Sequence, residues 1–200
     1  MELVAAADAA EELKVCGVWA RFLRSNGEYS SQLIIGRGLL SKEGSSIPKE
    51  ELEACAIGSN LLWIVRKSLS NWVKEYLLVS DSVISLCWIT AENKRLSLFH
   101  RNRCNQVRFH TDASKLFHVR TDYNPADIPT RTEKVSEDSV GPNSLWEQGM
   151  DWMKGSIRAA VQADILKPAE DLRLVDKEET EFDRGLILER TPEILVQVLG

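Results

Sequence analysis

The chain has 200 residues, 44% of them hydrophobic and 28% charged, and its formal net charge is −5, from 25 Lys and Arg against 30 Asp and Glu. This length suits one core with an appendage and needs neither metal nor disulfide to fold, while the composition excludes a largely disordered, collagen-like or coiled-coil chain. The acidic balance argues, on its face, against a nucleic-acid partner.

No stretch approaches the about 20 apolar residues of a membrane span, and the N-terminus M-E-L-V-A-A-A-D lacks the basic start of a signal peptide. No membrane partner is therefore expected. Cys16, Cys55, Cys87 and Cys104 are widely spread, with no C-x-x-C pair. They read as reduced, mostly core cysteines rather than as zinc ligands or a disulfide framework.

In chain order, residues 3–7 form a short apolar run that ends in Asp8. Residues 15–23 (V-C-G-V-W-A-R-F-L) are rich in β-branched and aromatic types, and Asn26-Gly27 marks a hairpin turn into a third extended segment, 29–40. Three consecutive antiparallel strands are expected. The period then changes: Ser45 and Ser46 precede Pro48, and apolar residues recur at helical spacing through Val65, which predicts a helix of roughly 20 residues within 45–70. Residues 75–79 (E-Y-L-L-V) read as a buried strand leading to Asp81, followed by a helix over 83–90, a basic helix within 94–110 and a strand over 116–120. Asn124-Pro125-Ala126-Asp127 is a turn that opens another helix. Hairpin strands followed by α/β crossovers imply one mixed sheet with helices on its faces. Beyond residue 132 the pattern weakens. Residues 134–143 look like a loop, Leu145, Trp146, Trp152 and Met153 look like apolar anchors, 156–166 suits a helix stopped by Pro168, and 176–184 is acidic and solvated. Trp63, Trp72 and Trp88 read as packing residues and His118 as structural.

Four acids stand where acids are not usually wanted. Asp8 and Asp81 end apolar runs, Glu51 lies on the helix stripe with Ile47 and Cys55, and Asp127 opens the last helix. Carboxylates at core-facing or strand-terminal positions must be paired or hold metal, and the carboxyl ends of parallel strands are where sites are built. Gathered together they would repel and raise one another's pKa. Oxygen-only ligands suit Mg2+ or Mn2+, and two such ions can activate a water and stabilise the leaving oxygen of a phosphodiester.

Residues 46–54 (S-I-P-K-E-E-L-E-A) resemble the I-P-R-x-E-L-x-A signature of the ribonuclease H domain in BEL/Pao-type LTR retrotransposon Pol polyproteins. Residues 79–89 (V-S-D-S-V-I-S-L-C-W-I) are similar to its W-T-D-S-x-x-x-L-x-W-I, 99–103 (F-H-R-N-R) to F-V-x-N-R, and 118–131 (H-V-R-T-D-Y-N-P-A-D-I-P-T-R) to H-V-P-T-x-x-N-P-A-D-L-x-S-R. Residues 145–153 (L-W-E-Q-G-M-D-W-M) echo L-W-x-x-G-P-x-W-L more loosely, and Asp8-Ala9-Ala10 stands where the family has D-A-S. The resemblance covers about residues 3–153. It implies an α/β, RNase H-like fold with a five-stranded mixed sheet in 3-2-1-4-5 order, and it makes Asp8, Glu51, Asp81 and Asp127 the catalytic, metal-binding acids for two Mg2+ or Mn2+ ions. Ser82, Arg101, Asn102, Arg103 and Asn124 fall at the family's nucleic-acid-binding positions. The implied substrate is an RNA–DNA hybrid, read by shape, 2′-hydroxyls and phosphates, and the implied partners are reverse transcriptase and integrase parts of the same polyprotein. The implied setting is cytoplasmic, in an intracellular retroelement particle that later reaches the nucleus.

Two departures, Ala10 for Ser and Glu50 for an apolar residue, keep a second expectation open: a catalytically silent RNase H-like structural or interaction module. A DDE integrase shares the fold but needs its helix acid last, and here Glu51 comes second. The expected organisation is an RNase H-like domain over 1–132, an extension docked on it over 133–155, and a linker or tail over 156–200. Local charge supports the phosphate-binding role: residues 94–131 hold eight Lys and Arg against three Asp, a net of +5, which leaves −10 for the rest.

Overall fold

A computed structural model describes residues 1–91 and 95–174; Lys94 of the basic run and the acidic stretch 176–184 lie outside them. Strands β1 (Glu2–Ala9), β2 (Leu13–Leu23) and β3 (Tyr29–Leu40) form the expected antiparallel meander. Helix α1 (Ile47–Ser68) crosses to β4 (Glu75–Ser80), which pairs parallel with β1. Helices α2 (Val83–Thr90) and α3 (Leu98–His110) then lead to β5 (Leu116–Val119), parallel to β4. Among the described residues no helix is long and apolar enough to cross a membrane.

The sheet contains the expected 3-2-1-4-5 order but has six strands, not five: β6 (Leu166–Pro168) adds antiparallel to β5 at the outer edge. Three residues are too few to show a period, and Pro168 obscures the strand although proline is tolerated at a sheet edge. β6 follows α7 (Ile157–Gln162), which ends at Gln162 rather than being stopped by Pro168; two residues on, Asp164 with a φ of 54° has left helical space. The helix expected from Asp127 is a single turn, α4 (Asp127–Thr130), which gives way at Arg131 with ψ at 67°. Two further single turns, α5 (Glu137–Val140) and α6 (Leu145–Gln148), occupy the stretch after it.

β1 is the central strand, and Leu3 to Ala9 are all buried, the pattern of a strand covered on both faces. Leu3, Ala5 and Ala7 face a core built with α1, α2 and α3. The small side chains of Ala5 and Ala7 let α1 approach closely; a Cβ on Gly58 would stand 3.4 Å from the Cys16 Cβ and 3.6 Å from that of Ala7. Val4 and Ala6 face a second core made by the C-terminal segments through Met150, Trp152 and Met153. That covering is anchored by hydrogen bonds as well as by area. Trp19 Nε1 donates to the Trp146 carbonyl at 2.8 Å, and Trp152 Nε1 donates to the Tyr123 carbonyl at 2.9 Å. Fully buried Arg21 donates to the Met153 and Gly155 carbonyls and pairs with Glu2. Trp146 lies against the bare backbone of Gly36, where a Cβ would sit 2.7 Å from the indole.

Two expectations about aromatic residues part company. Trp88 is buried, whereas Trp72 is 71% exposed beyond the end of α1 and is not a packing residue. Trp63 is half-buried, its ring 5.1 Å from that of His110. The four cysteines are free thiols, and Cys16, Cys55 and Cys104 are buried.

Candidate active site

Ala7 and Ser80 are paired in register on parallel β1 and β4. The next residue on β1 is Asp8, and the residue that follows β4 is Asp81, so the two carboxylates leave neighbouring strands together, about 5 Å apart in strand spacing. α1 brings Glu51 to the same end of the sheet. Its start follows from Pro48 in the first turn, where proline loses no helical hydrogen bond. α4 supplies Asp127 as its first residue.

Each acid has a partner. The Thr130 hydroxyl donates to Asp8 Oδ2. The Ser82 hydroxyl donates to Glu51 Oε2 at 2.5 Å while capping α2 by accepting from Ser85 N at 3.2 Å. Asn124 Nδ2 donates to Asp81 Oδ1 at 3.1 Å and to the Ala7 carbonyl at 3.2 Å, and its Oδ1 accepts from Ala126 N at 3.1 Å. Asp127 Oδ2 is ion-paired with Arg131 Nη2 at 2.5 Å.

The four carboxylates share one electrostatic field. Burial first, then the charges of Asp81 and Asp127, push Asp8 up to about 7 against the opposing Thr130 hydrogen bond. Burial also raises Glu51 to about 7, with Asp81 and Asp8 adding to it and the Ser82 hydroxyl opposing. Such shifts mean that the fully ionised cluster is costly without added positive charge. Oxygen-only donors of high negative charge fit a hard divalent cation. As placed, no group of three or more His, Cys, Asp or Glu among the described residues is already arranged around an ion position.

The residues expected to touch nucleic acid divide. Arg101 and Asn102 are exposed on α3. Asn124 is fully buried and Ser82 nearly so, and in this structure both hydrogen-bond to site carboxylates. Arg103 Nη2 pairs with Glu53 at 2.7 Å, in a network that continues from Glu53 to Lys14 at 2.7 Å and from Lys14 to Glu50. This network explains Glu50, whose departure from an apolar residue is matched by a buried lysine on β2. Much of the remaining basic run is also engaged. Arg108 donates to the Trp88, Ile89 and Ala91 carbonyls at the end of α2, and Lys115 pairs with Glu75. Thr130 and the Arg131–Asp127 pair were not legible as site residues beforehand. The i, i+4 spacing of Asp127 and Arg131 is the one signal for the latter.

The model of the Pao retrotransposon-like RNaseH-like domain matches residues 1–82, which include Asp8, Glu51 and Asp81 but not Asp127. No curated protein matches the sequence. Among solved structures, the chain is similar to RNase H1 from the halophilic archaeon Halobacterium salinarum NRC-1, at 13% identity and TM-score 0.40 over 63% of this chain and 91% of that one. It is also similar to an exopolyphosphatase from Cytophaga hutchinsonii, at 6% identity and TM-score 0.33 over 62% of this chain and 36% of that one. A Ppx/GppA phosphatase from Aquifex aeolicus follows at 14% identity and TM-score 0.26, over 55% and 33%. The chain spans only about a third of either phosphatase. Over residues 1–82, then, the chain is similar to the Pao retrotransposon-like RNaseH-like domain.

Proposed function

We propose that this chain is a retroelement ribonuclease H that hydrolyses the RNA strand of RNA–DNA hybrids during reverse transcription, using two Mg2+ or Mn2+ ions held by Asp8, Glu51, Asp81 and Asp127. The observation that carries the reading is that Asp8 and Asp81 follow paired residues at the carboxyl ends of β1 and β4, with Glu51 and Asp127 near enough that burial and neighbouring carboxylate charge raise Asp8 and Glu51. When bound, the divalent cations supply the charge that activates a water and stabilises the leaving oxygen.

The chain's own residues set the geometry. Asn124 fixes Asp81 to the end of β1, Thr130 orients Asp8, and Ser82 holds Glu51, so three carboxylates are aimed before any ligand arrives. Glu51 orients the attacking water. Water adds to the phosphorus, the bond to the 3′ oxygen breaks, and the products are a 3′-hydroxyl and a 5′-phosphate. Arg101 and Asn102, exposed on α3, contact the hybrid backbone. The same reading makes reverse transcriptase and integrase the partners in a polyprotein and an intracellular retroelement particle the setting.

One observation favours the second reading, a catalytically silent module: Asp127 is already neutralised by Arg131. A labelled RNA–DNA hybrid incubated with Mg2+ or Mn2+ separates the two. Cleavage by the wild type that falls at least about 100-fold in Asp81→Asn supports the enzyme; a wild type that cuts no better than Asp81→Asn refutes it.

A further inference from the structure

Arg131 stands directly after α4, one helical turn beyond Asp127, and its guanidinium is ion-paired with the Asp127 carboxylate at 2.5 Å. Asp122 and Asp8 also lie within its field. Among the described ion pairs it is the one that reaches any of the four site acids. The pair is unequal: the Arg131 side chain is 46% exposed, that of Asp127 18%. Arg131 also lines two clefts, one with Thr130, Glu11 and Lys134 and the other with Asp122, Asp127 and Lys134. A swing of its long stem therefore moves the charge along the rim of the site without unpacking any core.

We propose that Arg131 is an exchangeable counter-cation, neutralising Asp127 in the metal-free protein, yielding that carboxylate when a divalent cation arrives, and then binding a phosphate of the nucleic-acid backbone. The inference rests on the ribonuclease reading and deepens it. A guanidinium and a divalent ion cannot both sit on one carboxylate oxygen, because like charges at contact repel. An ion pair whose cation is nearly half exposed is weak enough to give way. The released guanidinium is a planar fork that matches a phosphate bidentately, and it is already at the cleft wall beside Lys134. Arg131 thus acts on the reaction through Asp127 and through substrate placement, as a positioning residue.

The test uses the full chain and two readouts other than cleavage. Mn2+ binding is titrated calorimetrically in the absence of nucleic acid for wild type, Arg131→Gln and Asp81→Asn. Hybrid binding is followed by fluorescence anisotropy across a salt series in Ca2+ for wild type, Arg131→Gln and Arg131→Lys. Arg131→Gln is expected to bind Mn2+ about two- to five-fold more tightly, the factor a partly exposed ion pair is worth. It is also expected to bind hybrid more weakly, with a salt slope reduced by about one phosphate contact, and Arg131→Lys restores that slope. Unchanged or weaker Mn2+ binding in Arg131→Gln overturns the counter-cation role, and an unchanged salt slope overturns the phosphate contact. Both outcomes leave the ribonuclease reading standing as long as the wild type takes up Mn2+ and Asp81→Asn loses it. No Mn2+ uptake by the wild type, or uptake unaffected in Asp81→Asn, overturns the ribonuclease reading and this inference with it.

Discussion

The Thr130 hydroxyl donates to the Asp8 carboxylate, joining two residues 122 positions apart in the chain. The same hydroxyl oxygen lies 3.0 Å from the Asp127 carbonyl, which shares its single proton, so one side chain links the end of β1 to the single turn that carries the fourth acid. The bond opposes the burial that raises Asp8, and both groups are buried. Replacing Thr130 with Val keeps the shape and removes the donor, leaving an ionised buried carboxylate short of a partner. Thr130→Val is expected to lose about 1–3 kcal/mol at pH 8, measured by urea denaturation in EDTA. A loss below about 0.3 kcal/mol would show that the bond does not support the site.

Lys14 is nearly buried between Glu50 and Glu53, and Glu53 is shared with Arg103 on α3. Removing one partner of a buried ionic cluster strands the others. Lys14→Met is therefore expected to destabilise by about 3–5 kcal/mol. Adding Glu50→Leu to it should recover much of that loss, because Glu53 keeps Arg103. Thermal melting of the two variants checks the order. A double variant less stable than Lys14→Met would contradict the account.

Arg108 separates a folding role from a nucleic-acid role for the basic run. Its three bonds close carbonyls at the end of α2, where a helix lacks its own donors. Arg108→Met should lower stability by about 1–2 kcal/mol and leave the salt dependence of hybrid binding unchanged. Arg101→Gln should do the reverse, with no stability change and a salt slope lower by about one. Equal salt slopes for Arg101→Gln and wild type would remove Arg101 from the interface.

His100 lies buried beneath Trp88, its ring 4.4 Å away, with Nδ1 at 2.5 Å from the Ser97 hydroxyl. Burial first, and the Lys49 charge second, lower it from 6.5 to about 4. The unfolded chain therefore binds a proton at this position below about pH 6.5 that the folded protein refuses until about pH 4. The contribution of His100 to stability is present above pH 6.5 and is lost as pH falls toward 4. The difference in unfolding free energy between wild type and His100→Asn, followed from pH 7.5 to 4.5, should shrink toward acid. A difference that stays flat over that range would show that His100 takes up its proton as readily in the fold as in the unfolded chain.

Much of this architecture could be read without coordinates because its signals are local. The Asn-Gly turn, the change from period 2 to period 3.6 and the Pro48 start are properties of a few adjacent residues. They place β3 at 29–40 and α2 at 83–90, the bounds that the fold shows. The acids were visible because a carboxylate at the end of an apolar run is out of pattern wherever it occurs.

What the sequence by itself determined is the order of elements and the four carboxylates that interrupt them. Tertiary structure alone decided who holds those carboxylates. Asn124 and Ser82 turned inward to position acids, Arg108 became a cap, Arg131 met Asp127, and a three-residue strand closed the sheet edge. The reason is physical. Periodicity records which face of an element is buried, but a hydrogen-bond donor such as Thr130 or Asn124 has the same local signature whether it meets water, a phosphate or a carboxylate. Only the packing of distant segments, here a single turn against the end of a central strand, selects among them.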